Sequence, residues 1–242
     1  MIIFLYIIAH LIADFTLQPA GLAQKKQDKF GFLIIHSIIY AVAFSVTIFT
    51  FISFENAILP FILIILSHFL IDWVRKIVDK SFCKKVVVFA CFLIDQILHI
   101  TILVIIVYVF DLNTKTNHLY DYLLKWEYFK NLIIYALIYV IIWDATAVFI
   151  KKLFAYIFNK DECVNEENEP QVGRIIGKLE RLIISSFVLC NQFGAIGFVL
   201  AAKSIARYKQ LEDKNFAEKY LVGTLSSTAI AFITAILLKK LI

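Results

Sequence analysis

The chain has 242 residues, 61% of them hydrophobic and only 18% charged. A soluble domain is nearer half apolar and a quarter charged, so the composition excludes an ordinary soluble fold and points to a polytopic helical membrane protein. The apolar runs are long and unbroken, which excludes the short alternating segments of a membrane β-barrel. A net charge of +5 reads in such a chain as positive-inside topology and lipid contact, with no nucleic-acid partner expected.

The predicted fold class is all-α, a transmembrane bundle of about six to seven hydrophobic helices. Residues 1–18 form a first helix, ended by Gln18-Pro19 and short for a full span. Its His10 and Asp14, and the lack of a small-residue cleavage site, argue for a retained anchor rather than a signal peptide. A basic connection with Lys25, Lys26 and Lys29 leads to a second span at 31–53, a turn at Glu55-Asn56, a third span at 57–76 ending in Arg75 and Lys76, and a fourth at 86–110. Residues 111–130 are polar and aromatic and suit an interfacial loop. A fifth span at 131–158 contains Asp144, and an acidic loop follows at 159–170. Residues 173–202 start amphipathic and become a sixth apolar segment, and 219–241 form a seventh. The expected organisation is therefore a four-helix membrane core at 1–110 carrying the site, a middle part at 111–172, and a C-terminal helical segment at 173–242. Cys83, Cys91, Cys163 and Cys190 show no Cys-x-x-Cys spacing, so neither disulfides nor a thiolate zinc site is expected.

Lysine and arginine place the 19–30 and 75–85 connections on the cytoplasmic side of an inner (plasma) membrane, with the N-terminus outside. Simple alternation then puts 203–218, with Lys203, Arg207, Lys209 and Lys214, outside, so the last two segments are not assigned a crossing.

Function is carried by a repeated spacing. His10 and Asp14, His68 and Asp72, and Asp95 and His99 are each four residues apart, and His36 lies alone in the second span. Residues four apart share a helix face. Ionisable groups within membrane helices are costly and mark function. A single His–Asp pair is more often a structural hydrogen bond. Three pairs plus His36, all near the cytoplasmic ends of their helices, argue for one convergent site. Imidazole and carboxylate are ligands for zinc, manganese and non-haem iron. The expected metal ligands are His10, Asp14, His36, His68, Asp72, Asp95 and His99, enough for two ions, with Asp144 in reserve. Zinc is the first choice of cofactor. Asp72, Asp95 and Lys76 are the expected catalytic residues. The same residues fit a proton relay, and facing histidines fit haem, although the carboxylates argue against it.

A second polar concentration lies in the C-terminal third. Arg174 and Lys178 share one helix face, and Lys203 and Arg207 another. A cationic rim binding phosphate or an anionic headgroup (Arg174, Lys203 and Arg207 as substrate-binding residues) stands beside an internal network of arginine with Glu180.

His10 to Gln18, His36, Ser67-His68…Asp72-Trp73…Lys76 and Asp95-Gln96…His99 resemble an integral membrane family of bacteria and phages, the domain of unknown function 3307. Gly173-Arg174…Gly177, Glu180-Arg181, Ala202-Lys203…Arg207 and Gly223-Thr224 look like the tail of many of its members. The motif style is also similar to membrane-bound metal-dependent hydrolases. That likeness implies a hydrolase and names no substrate. The leading expectation from the residues is a metal-dependent hydrolase acting on a phosphate ester or lipid-linked substrate at the cytoplasmic face, with membrane lipid and an anionic substrate as partners and a homo-oligomer open. The alternatives are an ion, proton or metal transporter using the same residues, and a non-catalytic membrane component of a stress or phage-defence system.

Overall fold

The computed structural model describes residues 1–18, 30–82, 84–158 and 171–242. The expected basic connection at 19–29, Cys83, and the acidic loop at 159–170 with Cys163 lie outside the described residues. Nine helices follow one another among the described residues: α1 (Ile2–Thr16), α2 (Phe30–Phe51), α3 (Phe54–Ser81), α4 (Lys85–Val109), α5 (His118–Leu124), α6 (Phe129–Phe158), α7 (Gln171–Leu189), α8 (Phe193–Ala206) and α9 (Lys214–Lys239). Helices α2, α3, α4, α6 and α9 are long and apolar enough to cross a membrane, and α1 and α8 are shorter apolar helices. The protein is a helical membrane bundle.

The chain divides into two compact units, the first Met1–Leu137 and the second beginning at Ile138, inside α6. In the first unit α1 packs on α2 and α4, α2 on α3, and α3 on α4, which closes a ring of four helices. Each helix turns one stripe inward. On α2 the buried residues are Leu33, His36, Ser37, Tyr40, Phe44 and Ile48; on α3 they include Ala57, Pro60, Ile64, His68 and Asp72. These spacings of three and four follow the helical repeat. Ile34, Ile38, Val42 and Val46, on the other face of α2, are exposed, as suits side chains meeting lipid. Along each stripe the apolar residues Tyr6, Phe44, Ile64 and Leu103 fill one part of the bundle interior, and the histidines and aspartates fill the next. The end of α2 is tied to the following loop, where Asn117 N donates to Phe51 O (3.1 Å) and its side-chain amide donates to Thr50 O (2.6 Å).

Three expected boundaries are corrected. The turn at Glu55-Asn56 is already the first turn of α3, which starts at Phe54 with Ser53 as its N-cap. Helix α3 runs past Lys76 to Ser81, so Arg75 points from a helix interior rather than from a loop. Residues 173–202 are two helices, not one, broken where Asn191 takes a left-handed conformation (φ 58°), which asparagine tolerates better than most residues.

In the second unit α7 packs on α9, on α8, and on a wide π-turn of α6 at Ile141–Ala145, while α9 also packs on the second half of α6. The Cβ-less Gly223 of α9 sits against the Phe154 ring of α6.

Candidate metal centre

Seven ionisable side chains from the four ring helices meet in one place, and all are buried, at 0 to 9% exposure. His10 and Asp14 come from α1, His36 from α2, His68 and Asp72 from α3, and Asp95 and His99 from α4. Asp14 sits in a π-helical turn, Ile12–Thr16, at the end of α1. Such wide turns are frequent at functional sites because they re-aim a side chain relative to a regular helix.

The closest side-chain to side-chain contacts among the seven are between helices, not within them. Asp14 Oδ1 is 3.0 Å from His68 Nε2 and 3.3 Å from His36 Nε2, and Asp72 Oδ2 is 3.3 Å from His36 Nε2. The pairs four residues apart are looser: His68 Nδ1 to Asp72 Oδ2 is 3.9 Å, and His99 Nδ1 to Asp95 Oδ2 is also 3.9 Å. The imidazoles of His68 and His99 lie 4.5 Å apart between ring centres, and those of His10 and His99 5.1 Å.

Three overlapping sets offer ligand atoms within 4.8 Å of one another: His10, Asp14 and His68; His36, His68 and Asp72; and Asp72, Asp95 and His99. The first and third share no residue, so together they suit two ions, with His36 between Asp14 and Asp72. His99 Nδ1 is 2.9 Å from the backbone carbonyl of Asp95. A carbonyl only accepts, so Nδ1 carries the proton and Nε2 keeps its lone pair. His99 Nε2, His36 Nδ1 and Asp95 Oδ1 are buried atoms with no hydrogen-bond partner among the described residues. Buried polar groups are normally paired; a water, a hydrogen-bond donor or a cation would each satisfy such atoms.

A family model described as a protein of unknown function, DUF3307, matches residues 2–128. The chain belongs to this family. The matched DUF3307 region contains all seven residues of the centre and stops short of Asp144, Arg174, Lys203 and Arg207. No curated protein and no solved structure matches the chain.

The DUF3307 region also supplies neighbours that were not singled out from the sequence. Tyr40 is buried at 1% exposure, its hydroxyl 3.3 Å from His10 Nδ1 and its ring stacked on His68 at 3.6 Å. Its signal was present, since it lies one turn after His36. Arg75 donates from Nη1 to Asp95 Oδ2 at 2.8 Å, with its Nε 3.6 Å from Asp79. The Gln96 amide donates to the same Asp95 oxygen at 3.0 Å. Lys76, the expected catalytic cation, lies one turn beyond Asp72 with its ammonium 6.0 Å from the Phe30 ring centre.

The remaining expected residues lie in the second unit. Asp144 sits in the π-turn of α6 and accepts from Lys178 and, at 3.2 Å, from Arg174. Lys203 donates to Glu180 Oε2 (2.6 Å) and to Thr224 Oγ1 (2.9 Å). Arg207 caps the end of α8.

Proposed function

We propose that the chain is an integral-membrane, metal-dependent hydrolase that cleaves a phosphate ester or a lipid-linked phosphate. The observation that carries this reading is the convergence of three buried ligand sets from four helices, two of which share no residue and so offer room for two ions. Charge is consistent with it. Asp14, Asp72 and Asp95 bring three carboxylates into the ring, and the Arg75 guanidinium that binds Asp95 is shared with Asp79; divalent cations would offset carboxylate charge of this kind.

In that reaction a metal held by these residues would supply Lewis acidity and a water activated near neutral pH, whose oxygen bonds to phosphorus. The ester P–O bond breaks, and the leaving oxygen takes up a proton. Tyr40 and the Asp95 carbonyl orient His10 and His99, while Arg75 holds Asp95 by one oxygen and leaves the other for metal. An apolar groove between α2 and α3, lined by Ser37, Phe61, Ile65, Leu66 and Phe69, begins one residue from His36 and His68 and suits a lipid chain. Zinc is the first choice, with manganese and iron as alternatives. The positive-inside pattern of the sequence supports a site toward the cytoplasmic side of an inner membrane. The near-complete burial of all seven residues favours a second reading, passage of a metal ion or protons through the same ligands.

The test is elemental analysis of protein purified in detergent without chelators, beside Asp72→Asn and His68→Ala, followed by phosphate release from phosphatidic acid vesicles and nitrophenyl phosphate esters. One or two equivalents of metal, lost in both variants together with hydrolysis, support the enzyme. Metal without hydrolysis, with zinc flux into liposomes, supports transport. No metal after reloading refutes both metal readings.

A further inference from the structure

The second unit concentrates charge of the opposite sign around one helical turn. The π-turn Ile141–Ala145 of α6 contributes a single carboxylate, Asp144, buried at 5% exposure. Arg174 and Lys178, one turn apart on α7, both donate to the same oxygen of it, Oδ1. A third cation, Arg181, one turn further along α7 from Gly177, is buried at 3% exposure. It donates only to neutral groups: Ile142 O (2.5 Å), Trp143 O (3.1 Å) and Ser227 Oγ (3.1 Å). A β-carbon at Gly177 would come within 3.3 Å of its Nη1, so the bare helix face there gives the guanidinium room. The neighbouring Glu180 already carries a cation of its own, Lys203 at 2.6 Å.

Three cations therefore face one carboxylate at this turn, a surplus of two positive charges among the described residues. Uncompensated charge in an apolar setting is expensive. Asp144 lies seven residues before Lys151, with Lys152 next to it, about two turns or ~10 Å along α6. The cation nearest the outside is well placed to take up a ligand: the Arg174 side chain is 49% exposed while Lys178 is 13% exposed. A guanidinium and an ammonium side by side match the oxygens of a phosphate, which carries one negative charge as a diester and close to two as a monoester or free ion near neutral pH.

We propose that Arg174 and Lys178 form a phosphate-binding site on the second unit, with Asp144 positioning the two cations and Arg181 adding field from behind. The phosphate is that of an anionic lipid headgroup or a free phosphate ion. The site narrows the cationic rim read from the sequence: Lys203 belongs to a neutral pair with Glu180 and takes no part. It stands on the second unit alone and holds whether or not the first unit binds metal.

Trp143 supplies the readout, since its ring centre lies 5.0 Å from the Lys178 ammonium. With Trp73 and Trp126 replaced by phenylalanine, Trp143 is the one remaining tryptophan of three. The full chain in neutral detergent is titrated with inorganic phosphate, with phosphatidylglycerol, and with phosphatidylcholine as the zwitterionic control. A saturable change in Trp143 fluorescence is expected. Its midpoint should rise at least tenfold in Arg174→Gln/Lys178→Gln and severalfold in Arg174→Gln, whose exposed side chain is dispensable for folding, and stay within twofold in Lys203→Gln. Saturation by inorganic phosphate identifies free phosphate as sufficient, and saturation by phosphatidylglycerol alone identifies the headgroup. An unchanged midpoint in Arg174→Gln and in the folded double variant, or a response that sodium chloride reproduces, overturns the site.

Discussion

His68 Nε2 lies 3.0 Å from Asp14 Oδ1, across 54 positions of chain. This contact joins α3 to the π-turn of α1 and is shorter than the 3.9 Å side-chain contacts within the pairs His68–Asp72 and Asp95–His99. It makes Asp14 the residue through which the first helix is tied to the centre.

Metal should stabilise the fold as well as fill the site. A ligand held only by the folded state adds about 3 kcal/mol at a hundred times its Kd. Thermal unfolding followed by circular dichroism should therefore show a chelator-sensitive Tm in wild type. Asp72→Asn should remove that sensitivity, since Asp72 belongs to two of the three ligand sets. A Tm indifferent to chelator and to added zinc, manganese or iron would count against the centre.

Tyr40 separates orientation from packing. Tyr40→Phe keeps the ring stacked on His68 and deletes the hydroxyl 3.3 Å from His10. Loss of such a supporting group weakens metal binding about tenfold or more, while stability should fall by only about 1 kcal/mol. Tyr40→Ala also leaves a cavity in the bundle and should cost about 3–5 kcal/mol, the range of large aromatic truncations. Metal titration and urea unfolding of the two variants check the contrast; equal metal affinity in wild type and Tyr40→Phe would rule out the orienting role.

Arg75→Met should behave differently with and without metal. The change strips the cation from Asp95, which is buried at 3% exposure. An uncompensated buried carboxylate costs about 3–5 kcal/mol. A metal held at the centre would offset the missing charge on Asp95, so the loss measured in saturating metal should be clearly smaller than the loss in chelator. A loss of the same size in both conditions would separate Arg75 from the centre.

Two glycines report on the second unit. A β-carbon at Gly223 would lie 2.9 Å from Phe154 Cζ, so Gly223→Leu forces the α6–α9 contact apart and should cost about 2 kcal/mol or more. Gly197 of α8 has nothing within 4 Å. There Gly197→Ala should stabilise by up to about 1 kcal/mol through helix propensity alone. Denaturation midpoints of the two variants should shift in opposite directions.

Much of this protein was legible along the chain. Hydrophobic run lengths mark α2, α3, α4, α6 and α9 because a membrane span needs its full length of apolar residues, and that requirement is local. The spacing of His10 with Asp14, His68 with Asp72 and Asp95 with His99 puts each pair on an inward stripe because the helical repeat does so wherever a helix forms. What the sequence left open were the partners across helices. Nothing in the order of residues says that Asp14 meets His68 and His36, that Arg75 turns into the ring to hold Asp95, or that Tyr40 stacks on His68. Those contacts depend on how four helices close into a ring, which is set by packing summed over all their faces. The cations of the C-terminal third show the same limit. Arg174, Lys178, Arg181 and Lys203 are all visible as charges, but only tertiary structure decides that three of them share the surroundings of one carboxylate while the fourth is neutralised by Glu180. Charge is written in the sequence residue by residue, whereas charge balance is a property of the space in which residues from distant helices meet.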